Sequence, residues 1–317
     1  MGTSFTLAIT AIQIVASFLG IVTNGFMLAV NLLDWKHCKG LNASDYFICA
    51  VGFSNLSSQI WSGLHWFCQP FWNLGFLCPI AYALKMISIQ CSLVVSSMLC
   101  VFYCTRILNL NNALFRFYQR HYQESYRSVI IKSFTVCTMM GWPLLWVQEK
   151  PSNLPFSNCT SNFSMSKTHY DIYFGIYRLL VLSFGYTFPL VLTIGSASLI
   201  LISLLQHTNR MRDAFNTKHE AFIDAHLRAG YTILSILLLF VMYFITAIIN
   251  IIDILKEGDR GYFICQLVSV IYAPALSIVL IRGNTKLKNA ADALKARVGW
   301  VLQPKGYVKE DAGDLEV

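Results

Sequence analysis

The chain has 317 residues, of which 56% are hydrophobic and only 13% are charged, and its formal net charge is +8. Because soluble domains carry about 25% charged residues, this composition excludes a soluble domain and favours an integral membrane protein. The positive charge collects in segments predicted to face the cytoplasm, where acidic lipid headgroups balance it. It therefore does not indicate binding to nucleic acid.

Seven apolar runs are long enough to cross a bilayer as helices. We predict spans at about residues 7–33, 46–67, 78–105, 128–147, 171–205, 229–255 and 262–281. The runs are unbroken, whereas a transmembrane β-barrel would show short strands of alternating polarity. The sequence therefore predicts an all-α membrane protein built as a seven-transmembrane helix bundle.

The distribution of basic residues predicts how these spans are oriented. Only uncharged residues precede the first run, and Lys36 and Lys39 follow it, so the N-terminus is predicted to lie outside. The last run ends at Arg282, and Lys286 and Lys288 follow, so the C-terminus is predicted to lie inside. No internal repeat is visible, which argues against the repeat-built transporter plans.

Beyond residue 283 the pattern becomes amphipathic. Apolar residues recur there at helical spacing, namely Leu287, Ala290, Ala291, Leu294 and Val298. This spacing predicts a short helix lying along the inner membrane surface. We therefore divide the chain into a seven-transmembrane domain with a cytoplasmic amphipathic helix, residues 1–299, and a flexible cytoplasmic tail, residues 300–317.

The loop after the fourth span, residues 148–170, contains two glycosylation sequons. They are Asn158-Cys159-Thr160 and Asn162-Phe163-Ser164. A glycan acceptor requires a lumenal loop, and counting the spans independently places this loop on the outer side. We therefore predict glycosylation at Asn158 and Asn162.

No cluster of residues predicts catalysis or metal binding. Ten cysteines are scattered mostly within the apolar runs, without a C-x-x-C pair, as is typical of buried thiols. The sequence also lacks an H-E-x-x-H motif, a nucleophile elbow and a phosphate-binding loop. We therefore predict neither an enzyme nor a cofactor.

Short motifs at the ends of the spans occur in a specific order. Span 1 contains Gly20-Ile21-x-x-Asn24-x-Phe26, Asn31 and Asp34-Trp35, and span 3 ends in Phe102-Tyr103-Cys104-Thr105-Arg106-Ile107. Span 5 ends in Ser203-Leu204-Leu205-Gln206-His207-Thr208 with Met211, and span 6 opens with Ala225-His226. Span 7 ends in Ser277-x-x-x-Leu280-Ile281-x-Gly283-Asn284-x-Lys286-Leu287-Lys288. Rhodopsin-type signatures are absent, since no Asp-Arg-Tyr follows span 3 and no Asn-Pro-x-x-Tyr stands in span 7. The set resembles the type 2 taste (bitter) receptor family of G-protein-coupled receptors.

This resemblance implies a plasma-membrane receptor that binds a small organic bitter compound in the outer half of the bundle. It also implies activation of a gustducin-like heterotrimeric G protein at the inner face. The chain departs from the family at four places: Asn55 replaces the usual arginine of span 2, Lys85 the usual tryptophan of span 3 and Leu276 the usual histidine of span 7, and Pro274 stands one place late. We therefore expect a divergent member whose ligand range cannot be transferred from its relatives.

Lys85 and Arg178 are predicted to lie inside the membrane, where a cation is costly unless it is paired or hydrated. Either they line a ligand pocket that takes an anionic or hydrogen-bonding compound, or they reach the outer interface or pair with Asp171 or Asp253. Together with positions that align with the family pocket, they predict a ligand site formed by Trp66, Lys85, Met86, Ile89, Gln90, Arg178, Leu182, Phe240, Tyr243, Gln266 and Ser269. For the aromatic members, ordinary packing is the alternative.

The resemblance also predicts contacts at the inner face and a bond at the outer face. The predicted G-protein contacts are Tyr103, Arg106, His207, Arg210, Arg228 and Lys286, with anchoring in the inner leaflet as the alternative. Cys78 and Cys159 match the disulfide pair of rhodopsin-type receptors, with two free thiols as the alternative. A bridge at Cys159 would hinder glycosylation of Asn158 and leave Asn162 the better acceptor.

Two other functions stay open at this point. A type 1 vomeronasal-like pheromone receptor belongs to a related family, but His207 and the Lys286-Leu287-Lys288 tail favour the bitter receptor family. A transporter or channel needs polar residues along a path through the whole membrane, and such residues are sparse near the predicted midplane.

Overall fold

The computed structural model describes residues 3–38, 40–68, 77–108, 125–147, 172–211, 220–252, 254–255 and 259–302. Eight main helices run through these residues: α1 Thr3–Cys38, α2 Ala43–Cys68, α3 Leu77–Ile107, α4 Tyr126–Gly141, α5 residues 172–211, α6 Glu220–Ile252, α7 Arg260–Gly283 and α8 Thr285–Leu302. A one-turn helix, Leu144–Val147, follows α4, and the described part of the chain contains no strand. The predicted helix bundle is confirmed.

Five of these helices, α1, α3, α5, α6 and α7, are long and apolar enough to cross a membrane. The helices of the other two predicted spans, α2 and α4, do not reach that length and apolarity, for separate reasons. α2 carries buried polar residues, including Ser54, Asn55 and Gln59. α4 is only 16 residues long, because Pro143 interrupts the predicted span after Gly141. Both helices still pack against α3 in the bundle.

The helices extend further on the inner side than the apolar runs predict. α5 continues to Met211 and α6 begins at Glu220, so both enter the predicted basic loop at 206–228. Hydropathy marks only the part of a helix that lies in lipid, whereas helical hydrogen bonding continues into polar sequence. α8 begins directly after Asn284, as the amphipathic pattern predicts, and among its described side chains Leu287, in the first turn, is the buried one.

α3 lies at the centre of the bundle and contacts α2, α4, α5 and α6. A polar link joins it to two neighbours: the Ser92 hydroxyl donates to Asn55 Oδ1 at 2.6 Å, and Asn55 Nδ2 donates to Asn24 Oδ1 at 3.2 Å. Such hydrogen bonds between helices hold membrane bundles together. Asn55, which stands where the family usually has arginine, therefore forms part of a three-helix contact.

Pro274 lies inside α7 and frees the carbonyl of Val270, four residues earlier. The Gln59 side chain of α2 donates to that carbonyl at 3.1 Å. One helix turn further along, the Ser277 hydroxyl donates to Thr23 of α1 at 2.6 Å. The interruption in α7 is thus compensated by its neighbours, as membrane helices require.

α5 contains a wide π-helical segment, Val181–Thr187, in the outer half of the bundle. π-helical turns are rare and often occur at functional sites. Gly185 in this segment approaches α3 so closely that a Cβ placed on it would lie 3.3 Å from the amide nitrogen of Gln90. The segment therefore brings the α5 backbone against the outer part of α3.

Candidate ligand cavity and inner face

A cavity of about 800 Å³ lies in the outer half of the bundle, between the N-terminal halves of α1, α3, α5 and α7 and the C-terminal turns of α2 and α6. Its volume falls within the usual range for small-molecule sites, about 300–1,000 Å³. A second hollow, on the α4 surface between Ile130 and Met139, is formed by a single helix with mostly apolar side chains. Of these two hollows, the cavity is the one that collects polar groups from several helices.

Most of the predicted ligand residues line this cavity: Trp66, Lys85, Met86, Gln90, Arg178, Tyr243, Gln266 and Ser269. The remaining three do not. Ile89 and Phe240 are buried in the apolar core, and Leu182 packs against that core. The ring centroids of Phe240 and Tyr272 are 6.3 Å apart. These three side chains therefore pack in or against the core and do not line the cavity.

Lys85 is 9% exposed and lies in the third turn of α3, at the cavity wall. Among the residues that the structure describes, no carboxylate lies within ion-pair distance of its ammonium. Asp171 and Asp253, the partners considered above, lie outside the described residues. His65, another basic group of the cavity, is placed by contacts with the Cys78 carbonyl and the Tyr82 ring.

Arg178 lines the same cavity but is held by its surroundings. Its Nη1 donates to the carbonyl of Ile251 in α6 at 3.1 Å, and its guanidinium lies 4.0 Å from the centre of the Phe174 ring. A cation over an aromatic face is stabilised, especially away from water. The two predicted cations therefore differ, because Arg178 ties α5 to α6 whereas Lys85 makes no such contact in the described part of the chain.

Gln90 lies deeper in the cavity, where it is 1% exposed. Neither its amide oxygen nor its amide nitrogen has a hydrogen-bond partner among the described residues. An unsatisfied buried amide is costly and requires an explanation such as a ligand or water. Next to it, the ring of Tyr186 in α5 stacks on Tyr243 in α6 at 6.1 Å, so a polar group meets an aromatic wall here.

Several lining residues were not predicted from the sequence. They are aromatic residues at the outer ends of the helices, namely Tyr82, Phe174, Tyr177, Tyr186 and Tyr262, and a stripe on α1 that contains Thr10, Gln13 and Ser17. The stripe has a sequence signal, since polar residues recur at helical spacing within an apolar run. The aromatic residues have none, because aromatic side chains are common at membrane interfaces for other reasons.

At the inner face, Lys286 forms two ion pairs that join three helices. Its ammonium lies 2.9 Å from Asp34 in α1 and 2.8 Å from Asp45 in α2. Asn284 completes the cluster, because its amide donates to Asp45 at 3.3 Å and its oxygen accepts from the backbone of Lys286 at 3.0 Å. Burial opposes the charge of Lys286, but hydrogen bonds and the charges of Asp45 and Asp34 outweigh it and raise its pKa.

The other predicted G-protein contacts are placed as follows. Arg106 is exposed in the last turn of α3, and Tyr103 is half-buried against the core. His207, Arg210 and Arg228 lie within α5 and α6, but their side chains lie outside the described part. The structure thus assigns Lys286 a contact within the bundle, whereas Arg106 remains accessible at the inner end.

At the outer face, Cys78 lies at the start of α3 and forms no disulfide with any other described cysteine. It lies beside Cys68 at the end of α2, a neighbour that the sequence did not single out. Cys159, Asn158 and Asn162 lie outside the described residues. The disulfide and the two glycans therefore stay predictions.

The family described as taste receptor protein (TAS2R) matches residues 1–296 of this chain. The chain is 25% identical over 281 residues to taste receptor type 2 member 9 of Homo sapiens, covering 86% of this chain and 88% of that protein. It is also 25% identical over 299 residues to taste receptor type 2 member 9 of Macaca mulatta, covering 92% and 94%. With taste receptor type 2 member 64 of Pan paniscus it shares 25% over 299 residues, covering 90% and 92%.

Proposed function

This chain belongs to the taste receptor (TAS2R) family of seven-helix G-protein-coupled receptors, and on that premise we propose the following mechanism for a bitter taste receptor. A small organic compound binds in the cavity at the outer half of the bundle. Its binding activates a gustducin-like heterotrimeric G protein at the inner face of the plasma membrane. The family match favours this function over a vomeronasal-like receptor.

The observation that carries the proposal is the cavity itself. Its volume is about 800 Å³, and side chains from α1, α2, α3, α5, α6 and α7 reach it. Aromatic walls and a few convergent polar groups are typical of small-molecule sites. A compound held there would contact nearly every helix of the bundle at once.

Contacts beside the cavity suggest how binding would reach the inner face. Arg178 ties α5 to α6, and the rings of Tyr186, Tyr243 and Tyr272 connect α5, α6 and α7. A ligand shifts a conformational equilibrium only by its difference in affinity for the two states. A compound that binds better when α5 and α6 are separated at their inner ends would therefore favour the active state.

The inner face would then receive the G protein. Arg106 is exposed at the end of α3, and the basic ends of α5 and α6 contain His207, Arg210 and Arg228. Opening of α5 and α6 would expose a cleft between these ends. We propose that Lys286 acts indirectly, because its ammonium is engaged by Asp34 and Asp45 and holds α8 in position.

The test is calcium signalling in cells that express the receptor with a gustducin-like Gα subunit, across a panel of bitter compounds. We expect at least one compound to produce a response that disappears without the Gα subunit. Tyr243→Ala should then weaken the response by about tenfold or more, since it removes an aromatic wall of the cavity.

Tyr231→Ala is the matched control, because Tyr231 is also on α6 but is 68% exposed and does not line the cavity. Antibody staining of an N-terminal tag on intact cells verifies surface expression. A silent receptor at proven surface expression would contradict the proposed function. Equal effects of the two tyrosine variants would contradict the proposed site.

A further inference from the structure

No described side chain in the cavity wall is negatively charged at neutral pH. Among the described residues, the ionisable groups there are His65, Lys85, Arg178 and tyrosines, and no aspartate or glutamate lines the wall. Arg178 is already held by Ile251 and Phe174, whereas Lys85 and the amide of Gln90 are buried without a hydrogen-bonding side-chain partner in the described part. A ligand oxygen that carries negative charge would accept hydrogen bonds from the Lys85 ammonium and from the Nε2 of Gln90.

Another part of the cavity wall is formed by one stripe of α1. The lining positions follow helical spacing and separate into a polar edge, Thr10, Gln13 and Ser17, and an apolar edge, Ile14, Phe18 and Ile21. The apolar edge is turned away from the bundle core, since Ile14 is 60% exposed and Phe18 is 68% exposed. This edge of the cavity therefore continues onto the surface that faces lipid.

The end of α2 faces the same region. Gly63 and Trp66 line the cavity and are exposed, and Trp66 is 51% exposed. The cavity thus extends from a buried polar interior next to α3 to an apolar margin between the outer ends of α1 and α2. A compound that fills it would have a polar end and an apolar end.

Building on the proposed function, we propose that the ligand class of this cavity is an amphiphilic organic anion. Its acidic group reaches Lys85 and the Gln90 amide, and its apolar tail extends between α1 and α2 towards the outer leaflet. The acidic group gains a charge-assisted hydrogen bond at a buried position, and the tail remains in an apolar environment. Neutral compounds of the same shape leave Lys85 unpaired and bind less well.

The experiment compares hexanoic and dodecanoic acid with their methyl esters in the calcium assay, using untransfected cells as the background. We expect the acids to activate the wild-type receptor at about tenfold lower concentration than the esters. Lys85→Met should abolish this difference between acid and ester, and Lys85→Arg should restore it. Acids and esters of equal potency on the wild type, or a preference that survives in Lys85→Met, would overturn the proposal.

The opening between α1 and α2 is tested by bulky substitutions at two adjacent positions. Ile14→Trp fills the margin of the cavity, whereas Val15→Trp places the same ring at a neighbouring residue that is 66% exposed but does not line the cavity. We expect Ile14→Trp to weaken the response to dodecanoic acid several-fold more than the response to hexanoic acid. Equal effects of the two tryptophan variants would overturn the proposal that the tail lies between α1 and α2.

The source of the anion and the proposed function itself are distinguished by two further outcomes. If wild-type receptor ignores added acid while Lys85→Met changes basal signalling, the anion is a resident membrane lipid and the proposal is overturned. If neutral bitter compounds activate the receptor but no acid does, the proposed function stands and the ligand class is wrong. Surface staining of every variant separates loss of binding from loss of folding.

Discussion

The ion-pair cluster of Lys286 provides the sharpest test of how the inner face is held together. Lys286→Met keeps the length of the side chain and removes its charge. It leaves Asp45, whose side chain is only 4% exposed, with the amide of Asn284 as its remaining partner in the described structure. Asp34 is 34% exposed and is left free to meet water. The perturbation therefore falls mainly on Asp45.

The expected magnitude lies between two limits. Breaking a fully buried ion pair costs about 3–5 kcal/mol, because the remaining charge is uncompensated. Exposed pairs contribute about 0–1 kcal/mol. The Lys286 side chain is 30% exposed, so water screens part of the interaction, and we expect a loss of about 2 kcal/mol. For a protein of this size that corresponds to a decrease in Tm of roughly 3–6 °C.

The assay is thermal unfolding of the purified receptor in lipid nanodiscs. The matched control is Lys288→Met, which removes the same charge from an exposed position two residues further along α8. The double variant Lys286→Met with Asp45→Asn should recover most of the lost Tm, because it removes the buried charge that the single variant leaves unpaired.

The pH dependence has a defined sign. The pKa of Lys286 is raised in the folded protein, so its contribution is fully present below the ordinary lysine pKa and is lost only as the pH rises through the higher folded value. The difference in Tm between wild type and Lys286→Met should therefore be constant between about pH 6 and about pH 9. An unchanged Tm in Lys286→Met, or a double variant no more stable than the single one, would refute the reasoning.

Three further predictions concern other parts of the bundle. Gln59→Leu leaves the carbonyl of Val270 unpaired and should lower the stability by about 1 kcal/mol, measured as a decrease in Tm. Gln59→Glu should show a smaller decrease in Tm at a pH where the glutamate is protonated, because its O–H can still donate to that carbonyl. Gly141→Val places a side chain against Ile87 of α3 and should sharply reduce surface expression, as measured by antibody staining of intact cells; normal expression would show that α3 and α4 can separate without cost. Asn162→Gln should increase the electrophoretic mobility of the receptor by one glycan, and no change of mobility would contradict the predicted outer loop.

The sequence predicted the helices well because the membrane leaves few choices. A segment in lipid must satisfy its backbone hydrogen bonds internally, so each apolar run becomes a helix. α1, α3 and α7 begin and end within about five residues of the predicted spans, and α8 appears where the amphipathic spacing predicts it. The deviations occur where hydropathy gives no signal, at the inner ends of α5 and α6 and after Pro143.

The site was predicted less completely. Lys85 and Arg178 were found because a cation within an apolar run is conspicuous, and both line the cavity. Their different surroundings could not be predicted, since the contact of Arg178 with Ile251 depends on how α5 packs against α6. The stripe of α1 has a sequence signal, since Thr10, Gln13 and Ser17 recur at helical spacing, but only the structure shows that these residues line the cavity.

By itself, the sequence determined that this protein is a bundle of apolar helices and a member of its receptor family, because composition, charge asymmetry and ordered motifs are properties of the chain alone. Tertiary structure decided which polar groups meet. Gln59 compensates the carbonyl freed by Pro274, and Lys286 joins Asp34 and Asp45, although each pair is separated by more than two hundred residues. Polar groups in lipid must find partners, but only the packing of the helices selects which partner lies within hydrogen-bond distance.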